Sequence, residues 1–112
     1  PFTLHQDTPV LRPNMLETVW CAANRVTASG RQFDLDERIP VYEALRAVTC
    51  NAAYSYFEEE EKGALVPGMR ADLVLLDRDP LAVPRTEVRR VRVLETIKDG
   101  RTLYRAGCPG LC

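Results

Sequence analysis

Apolar residues recur every three or four positions early in the chain, which is the period of a helix that buries one face. The helix would begin after Asn14, a favoured N-cap, and Glu17 three residues later fits the spacing of a capping box. The pattern predicts a first helix over residues 15–26. Its apolar face would consist of Met15, Leu16, Val19, Trp20, Ala23 and Val26.

A second helical pattern begins at Pro40, a residue type favoured in the first turn of helices. Its apolar positions are Val41, Ala44, Leu45, Val48, Ala52 and Tyr56. The pattern predicts a helix over residues 40–57. Asn51 lies inside it, and asparagine side chains form local hydrogen bonds that compete with the helix. We therefore expect the helix to end or bend near Asn51.

The pattern changes to β after residue 63. Pro67 and Gly68 suit the two central positions of a type II turn, because proline presets φ and glycine accepts a positive φ. The apolar run that follows is bounded by Asp72 and Asp77. It predicts a mostly buried strand over residues 71–77.

A hairpin is predicted near the end of the chain. Asp99-Gly100 lies between apolar runs at residues 91–97 and 102–104, and Asp-Gly is a preferred pair for a two-residue hairpin turn. Upstream of it, residues 85–92 contain four arginines among apolar residues. In a chain of nearly balanced charge, this segment is interpreted as the solvated edge of a strand rather than a phosphate-binding site.

Composition narrows the class of protein. The 112 residues suffice for one modest core, and 46% hydrophobic and 28% charged residues are typical of a soluble globular protein. The formal net charge of −1 gives no field that would favour nucleic acid or an anionic membrane. We expect neither partner and a cytoplasmic location.

The four cysteines do not indicate a disulfide framework. Cys21 and Cys50 fall within the helical patterns, where a free cysteine behaves as a small buried hydrophobe. Cys108 and Cys112 lie in a terminal tail, and no second pair of cysteines is close enough in sequence to complete a zinc site.

Four motifs in the chain resemble, in order, the C-terminal part of the amidohydrolase superfamily, the metal-dependent hydrolases built on a (β/α)8 barrel. The resemblance is closest to the branch related to N-substituted formamide deformylase. The motifs are HQDTP at 5–9, EALRA followed by TCNAA at 43–53, GALVPGMRADLV at 63–74 and VLETIKDG at 93–100.

The resemblance implies an α+β chain that is a C-terminal fragment of such an enzyme, since a (β/α)8 barrel needs roughly 250 residues. The opening without methionine, at what looks like a strand over residues 2–4, points the same way. Residues 1–62 would be the end of the barrel, with its last strand, a metal loop and two helices. Residues 63–106 would be the C-terminal part of the small β-sandwich domain, and residues 107–112 a tail.

The resemblance also implies a catalytic site. Asp7 matches the family's aspartate after the last barrel strand, which ligates a divalent metal, here expected to be zinc, and takes a proton from the attacking water. His5, two residues earlier, would lie on the same side and contact the substrate or hydrogen-bond to a metal ligand and support it. The implied reaction is hydrolysis of a non-peptide C–N bond, in an amide or N-formyl group of a small molecule.

One departure from the family limits this interpretation. The chain has a single histidine, whereas the family's other ligands are a His-x-His pair, a bridging Lys or Glu and two further histidines. A catalytic zinc site needs three protein ligands. We therefore expect the fragment alone to hold no metal and to be inactive. We also expect it to form a homo-oligomer, because its strands would lack their partners.

An alternative of a different class stays open. The chain could be a free-standing α+β module with an interaction or structural role and no catalytic activity. A surface loop would then account for His5 and Asp7. A His-x-His motif upstream in the complete reading frame would distinguish the enzyme from the module.

Overall fold

The computed structural model describes residues 1–107 as helices followed by a three-stranded antiparallel sheet. Cys108 and Cys112, the predicted tail cysteines, lie outside the described residues. The helices are α1 (Met15–Asn24), α2 (Val41–Val48) and α3 (Cys50–Ser55), with 3₁₀ helices at Leu35–Glu37 and Arg85–Arg90. The strands are β1 (Leu73–Leu76), β2 (Val93–Lys98) and β3 (Arg101–Arg105).

Helix α1 begins as predicted but is capped differently. The side chain of Asn14 accepts a hydrogen bond from the backbone N–H of Glu17, which confirms the N-cap. The second half of the capping box is wrong, because the N–H of Asn14 donates to the side chain of Gln6 instead. The helix ends at Asn24, two residues early, since Arg25 adopts a left-handed conformation with φ of 55°.

The predicted long helix over residues 40–57 is two short helices. The break falls at Thr49, whose φ of −123° and ψ of −96° are not helical. Its hydroxyl donates to the carbonyl of Leu45 at 2.7 Å, a local bond of the kind that disturbs helices. Asn51 lies two residues further on, so the expected bend near Asn51 is confirmed.

Both predicted turns are confirmed. Gly68 has a φ of 95°, and the N–H of Met69 donates to the carbonyl of Val66 at 3.1 Å across the turn. In the β2–β3 hairpin, Asp99 and Gly100 have φ values of 50° and 77°. Positive φ at both central residues is the signature of a type I′ turn, whose twist matches that of the flanking strands.

The sheet order is β1-β2-β3, with Leu73 opposite Ile97 and Glu95 opposite Arg105. Strand β1 is shorter than the predicted 71–77. Contrary to the prediction, it is not mostly buried, because Val74 and Leu75 are 49% and 46% exposed. The reason is that β1 is an edge strand, with β2 on one side and no described strand on the other.

Residues 85–92 are not the edge of a strand. They contain the 3₁₀ helix Arg85–Arg90, which follows Pro84 and places Val88 and Val91, three residues apart, on its inner side. Packing on α1 replaces the pairing of a strand edge: Val88 and Val91 join the core beside α1, and Trp20 and Asn24 donate side-chain N–H bonds of 2.9 Å to two carbonyls of the 3₁₀ helix.

Residues 2–4 do not form the expected strand. Strands require a partner for their backbone groups, and no described strand runs beside this segment. Its carbonyl at Phe2 instead accepts a bond from the side chain of Asn51.

The core lies between α1, α2 and the 3₁₀ helix Arg85–Arg90. The buried members of the core are Leu16, Val19, Trp20, Ala44, Val88 and Val91.

Cys21 is exposed, so the expectation that it is buried is wrong, and Cys50 is half-buried. Within residues 1–107, the helices are too short and too polar to cross a membrane.

Candidate functional site

The segment that carries the predicted site residues lies at the N-terminal end of the chain, before α1. Residues 1–13 contain no helix or strand, so side-chain contacts fix their position. Asn51 in α3 donates to the carbonyl of Phe2 at 3.0 Å. Leu4 packs against the core, and Gln6 bonds to both backbone groups of Asn14.

The segment turns His5 and Asp7 towards the surface. Leu4 and Gln6 are partly buried, whereas His5 and Asp7 are exposed. This alternation is typical of an extended chain with one side on the protein body. Both residues are exposed, and their position on a common side and their chemical roles stay predictions.

A turn begins at Asp7. Its φ is 55°, and its carbonyl accepts a bond of 2.9 Å from the N–H of Val10. Within this turn the Thr8–Pro9 peptide bond is cis. Aspartate tolerates the left-handed region better than most residues. The carboxylate of Asp7 is therefore presented at the head of a closed turn.

The chemistry of these side chains suits a metal, but their number does not complete a site. A carboxylate oxygen and an imidazole nitrogen are both ordinary zinc ligands. Among residues 1–107, however, no three His, Cys, Asp or Glu side chains converge. Asp7 fits as one ligand of a larger set, and the described residues do not form the set.

A large apolar groove lies elsewhere in the described residues. It has a volume of about 670 Å³ and lies between α3 and the sheet. Its walls include Ala53, Tyr56, Leu65, Leu73 and Ile97, and neither His5 nor Asp7 borders it. The groove is therefore not part of the predicted site.

Two groups in α1 and in the sheet have shifted pKa values with structural causes. Hydrogen bonds from Thr102 and then from Arg105 lower the pKa of Glu95. Although Cys21 is exposed as a residue, neighbouring atoms shield its sulfur from part of the solvent, and this desolvation, followed by the nearby Glu17 carboxylate, raises the pKa of its thiol. The Glu95 shift follows from cross-strand contacts in the sheet, so it has a structural cause.

Two residues that shape the site were not singled out for it from the sequence. Asn51 was identified only as a disturbance in a helix, and its odd placement was the available signal. Gln6 gave no signal, because a glutamine in a loop is ordinary. Their importance depends on contacts with Phe2 and Asn14, which are 49 and 8 residues away in sequence.

Comparison with known proteins places these features in a family. The model of the amidohydrolase family matches residues 1–104. N-substituted formamide deformylase of Arthrobacter pascens is 36% identical over 102 residues, which cover 91% of this chain and 19% of that protein. The Bacillus subtilis (strain 168) protein named "Putative amidohydrolase YtcJ" is 28% identical over 76 residues, 68% of this chain and 14% of that protein.

No solved structure matches the chain. The chain spans about a fifth or less of the length of these two relatives. The family match nevertheless extends over nearly all of the chain and includes the turn that begins at Asp7. The chain therefore belongs to the amidohydrolase family.

Proposed function

We propose that this chain is the C-terminal segment of a metal-dependent amidohydrolase that hydrolyses a non-peptide C–N bond, in an amide or N-formyl group. The observation that carries the proposal is the 36% identity with the Arthrobacter pascens deformylase over 91% of the chain. The activity is proposed for the complete protein, because the chain corresponds to only 19% of that relative.

We propose the same division of the chain that the resemblance implied. Residues 1–62 form the end of the barrel, residues 63–106 the C-terminal part of a small β-sandwich domain, and residues 107–112 a tail. The order of elements supports this, since all described helices of the α type precede Gly63 and all described strands follow it. The two parts share a core through Val88 and Val91, which pack with residues of α1 and α2.

In this proposal Asp7 is both a metal ligand and the proton acceptor. When bound, a divalent metal supplies Lewis acidity that makes water more acidic. The Asp7 carboxylate accepts the proton of the attacking water and returns it to the leaving nitrogen. Its exposure at the head of a turn supports this role, because the carboxylate can meet groups from the rest of the complete protein.

His5 is proposed to contact the substrate. It lies two residues before Asp7 and is exposed, so its imidazole can hydrogen-bond a carbonyl or amide held beside the carboxylate. The remaining metal ligands would come from the part of the complete protein that precedes this chain. Without them the chain is proposed to bind no metal tightly and to be inactive.

The decisive experiment is Asp7→Asn in the complete protein. Loss of the proton acceptor should lower kcat by several orders of magnitude towards an N-substituted formamide, with the fold retained. Asp99→Asn is a matched control, because Asp99 is also exposed and left-handed, with φ of 50°, but lies in the hairpin turn. Near-normal turnover by Asp7→Asn would refute the assignment.

A non-catalytic α+β module is the second candidate. The observation that favours it is that residues 1–107 bring no three metal-ligating side chains together. The complete reading frame separates the candidates, since the enzyme requires further ligands upstream, beginning with a His-x-His pair. Metal analysis of the complete protein separates the same two candidates. The enzyme should hold about one or more tightly bound ions per chain, and the module should hold none.

A further inference from the structure

We propose that Gln6 is a positioning residue that holds the Asp7 turn in its working geometry. The inference rests on the proposed function of Asp7. It assigns Gln6 no contact with substrate or metal. Its action is mechanical: the Gln6 amide attaches the residue next to Asp7 to the N-terminal end of α1.

Two complementary hydrogen bonds form this attachment. The side-chain Nε2 of Gln6 donates to the backbone carbonyl of Asn14, and the backbone N–H of Asn14 donates to Oε1 of Gln6. Because both groups belong to one planar amide and one residue of the partner segment, the pair fixes orientation as well as distance. Gln6 is thus held like a residue in a two-bond strand pair, although residues 1–13 form no strand.

The cap of α1 does not account for these bonds. Asn14 caps the helix with its own side chain, which accepts from the N–H of Glu17. In a capping box, Glu17 would in turn accept the N–H of Asn14. Here the N–H of Asn14 donates to Gln6 instead, and Oε1 of Glu17 lies 3.9 Å from Nη1 of Arg89. The bond that usually completes a helix cap is therefore used to attach the loop.

The conformation of Asp7 explains why such an attachment matters. A non-glycine residue with φ of 55° occupies a sparsely populated region, and such a conformation persists where surrounding contacts impose it. On the C-terminal side of Asp7, the bond from Val10 closes the turn. On the N-terminal side, the described bonds of the adjacent residue are those of Gln6 to Asn14.

The other anchor of the segment is further away. Asn51 holds the carbonyl of Phe2, five residues before Asp7. An extended segment of that length can rotate about many bonds between Phe2 and Asp7. Loss of the Asn51 bond should therefore disturb Asp7 less than loss of the Gln6 pair.

The test uses Gln6→Met in the complete protein, because methionine has nearly the length of glutamine but forms neither bond. Gln6→Glu is the graded variant, since an ionised carboxylate accepts from Asn14 but donates nothing to its carbonyl. Gln32→Met is the matched control, as Gln32 is the chain's other glutamine and is exposed. Activity, unfolding temperature and hydrogen exchange of residues 7–12 are measured for each.

We expect Gln6→Met to lower kcat about 10- to 100-fold, with KM nearly unchanged, the cost typical of a misplaced catalytic group. Hydrogen exchange of the segment should be faster, and Gln6→Glu should fall between Gln6→Met and the wild type. Gln32→Met should change none of these quantities. The unfolding temperature should stay close to that of the wild type in all three variants.

Failure of this inference is distinguishable from failure of the proposed function. Unchanged kcat in Gln6→Met, beside an inactive Asp7→Asn, would overturn the positioning role and leave the catalytic role of Asp7 in place. A lower unfolding temperature with normal kcat would make Gln6 purely structural. An active Asp7→Asn would overturn both.

Discussion

Left-handed backbone conformations occur at three aspartates, and their surroundings differ. Asp99 lies in the β2–β3 turn, and Asp34 precedes the 3₁₀ helix Leu35–Glu37. The conformation of these two residues serves regular structure. Asp7 instead begins an exposed turn in the irregular segment 1–13 and carries the proposed catalytic carboxylate. A strained residue with no regular element to explain it is a candidate for function.

Two glycines allow backbone strain and steric contact to be separated. Gly63 and Gly68 have φ values of 100° and 95°. A Cβ at Gly63 would lie 2.8 Å from the Cβ of Ala53, whereas a Cβ at Gly68 would meet nothing within 4 Å. We expect Gly63→Ala to destabilise the fold by about 2–5 kcal/mol and Gly68→Ala by about 1–2 kcal/mol. Urea unfolding measures both, and equal losses would contradict the packing of residue 63 on α3.

The pKa of Glu95 predicts a dependence of stability on pH. Thr102 and Arg105 stabilise its carboxylate and hold the pKa below the ordinary value of 4.5. A depressed folded-state pKa contributes stability that is present above about pH 4.5 and lost as the pH falls below it. Glu95→Gln should therefore weaken the fold at pH 7 and flatten its loss of stability in acid.

Thermal unfolding from about pH 7 to about pH 3 tests this expectation. Glu59→Gln is the control, since Glu59 is an exposed residue in the run of four glutamates at residues 58–61. An acid profile of Glu95→Gln that is as steep as that of the wild type would show that the hydrogen bonds of Glu95 do not couple to folding.

At the scale of elements, the joint between α1 and the 3₁₀ helix Arg85–Arg90 holds the two halves of the chain together. Trp20 contributes a buried ring and an N–H bond to the carbonyl of Thr86, while the guanidinium of Arg89 lies 4.2 Å from the centre of that ring. Asn24 adds a second bond, to the carbonyl of Arg85. Both bonds connect α1 to the first turn of the 3₁₀ helix.

Val88→Ala tests this joint. Val88 is fully buried, so the substitution leaves a cavity and should cost about 2–3 kcal/mol. Val74→Ala removes the same atoms from a half-exposed strand position and should cost less than about 1 kcal/mol. Denaturant unfolding of the two variants gives the comparison. Equal costs would mean that the 3₁₀ helix is not a firm part of the core.

At the scale of the whole molecule, the described residues are less compact than a typical domain. Their radius of gyration is 14.8 Å, whereas a compact domain of this length has about 13 Å. Both outer edges of the sheet lack a described partner strand. Exposed apolar residues cluster near these edges and near α3, among them Tyr56, Phe57, Leu65, Val74 and Leu103. Large exposed apolar surfaces normally pack against another part of the protein or against a partner.

We therefore expect the isolated chain to form a dimer or a higher oligomer. Unpaired strand edges carry free N–H and C=O groups that pair readily with a second copy. Sedimentation equilibrium over a wide concentration range measures the association. Val74→Lys should weaken it, because a lysine on an edge strand opposes edge-to-edge pairing. A monomer at all concentrations would contradict the expectation and favour the free-standing module.

The caps and turns of this protein were predictable from the sequence alone, because short-range chemistry determines them. Asn14 caps α1, Gly68 and Gly100 require positive φ, and the four ordered motifs indicate the family. The cap, the turns and each single motif depend on residues within a few positions of one another. The family match over residues 1–104 confirms the inference from the motifs.

The tertiary structure decided the features that depend on distant contacts. Residues 85–90 pack on α1, which donates to two of their carbonyls, and residues 2–4 form no strand because no described strand lies beside them. The attachment of the Asp7 turn likewise depends on Gln6 meeting the backbone of Asn14. Local periodicity describes only which faces are apolar. Which backbone groups find partners across the fold is determined when the elements pack together.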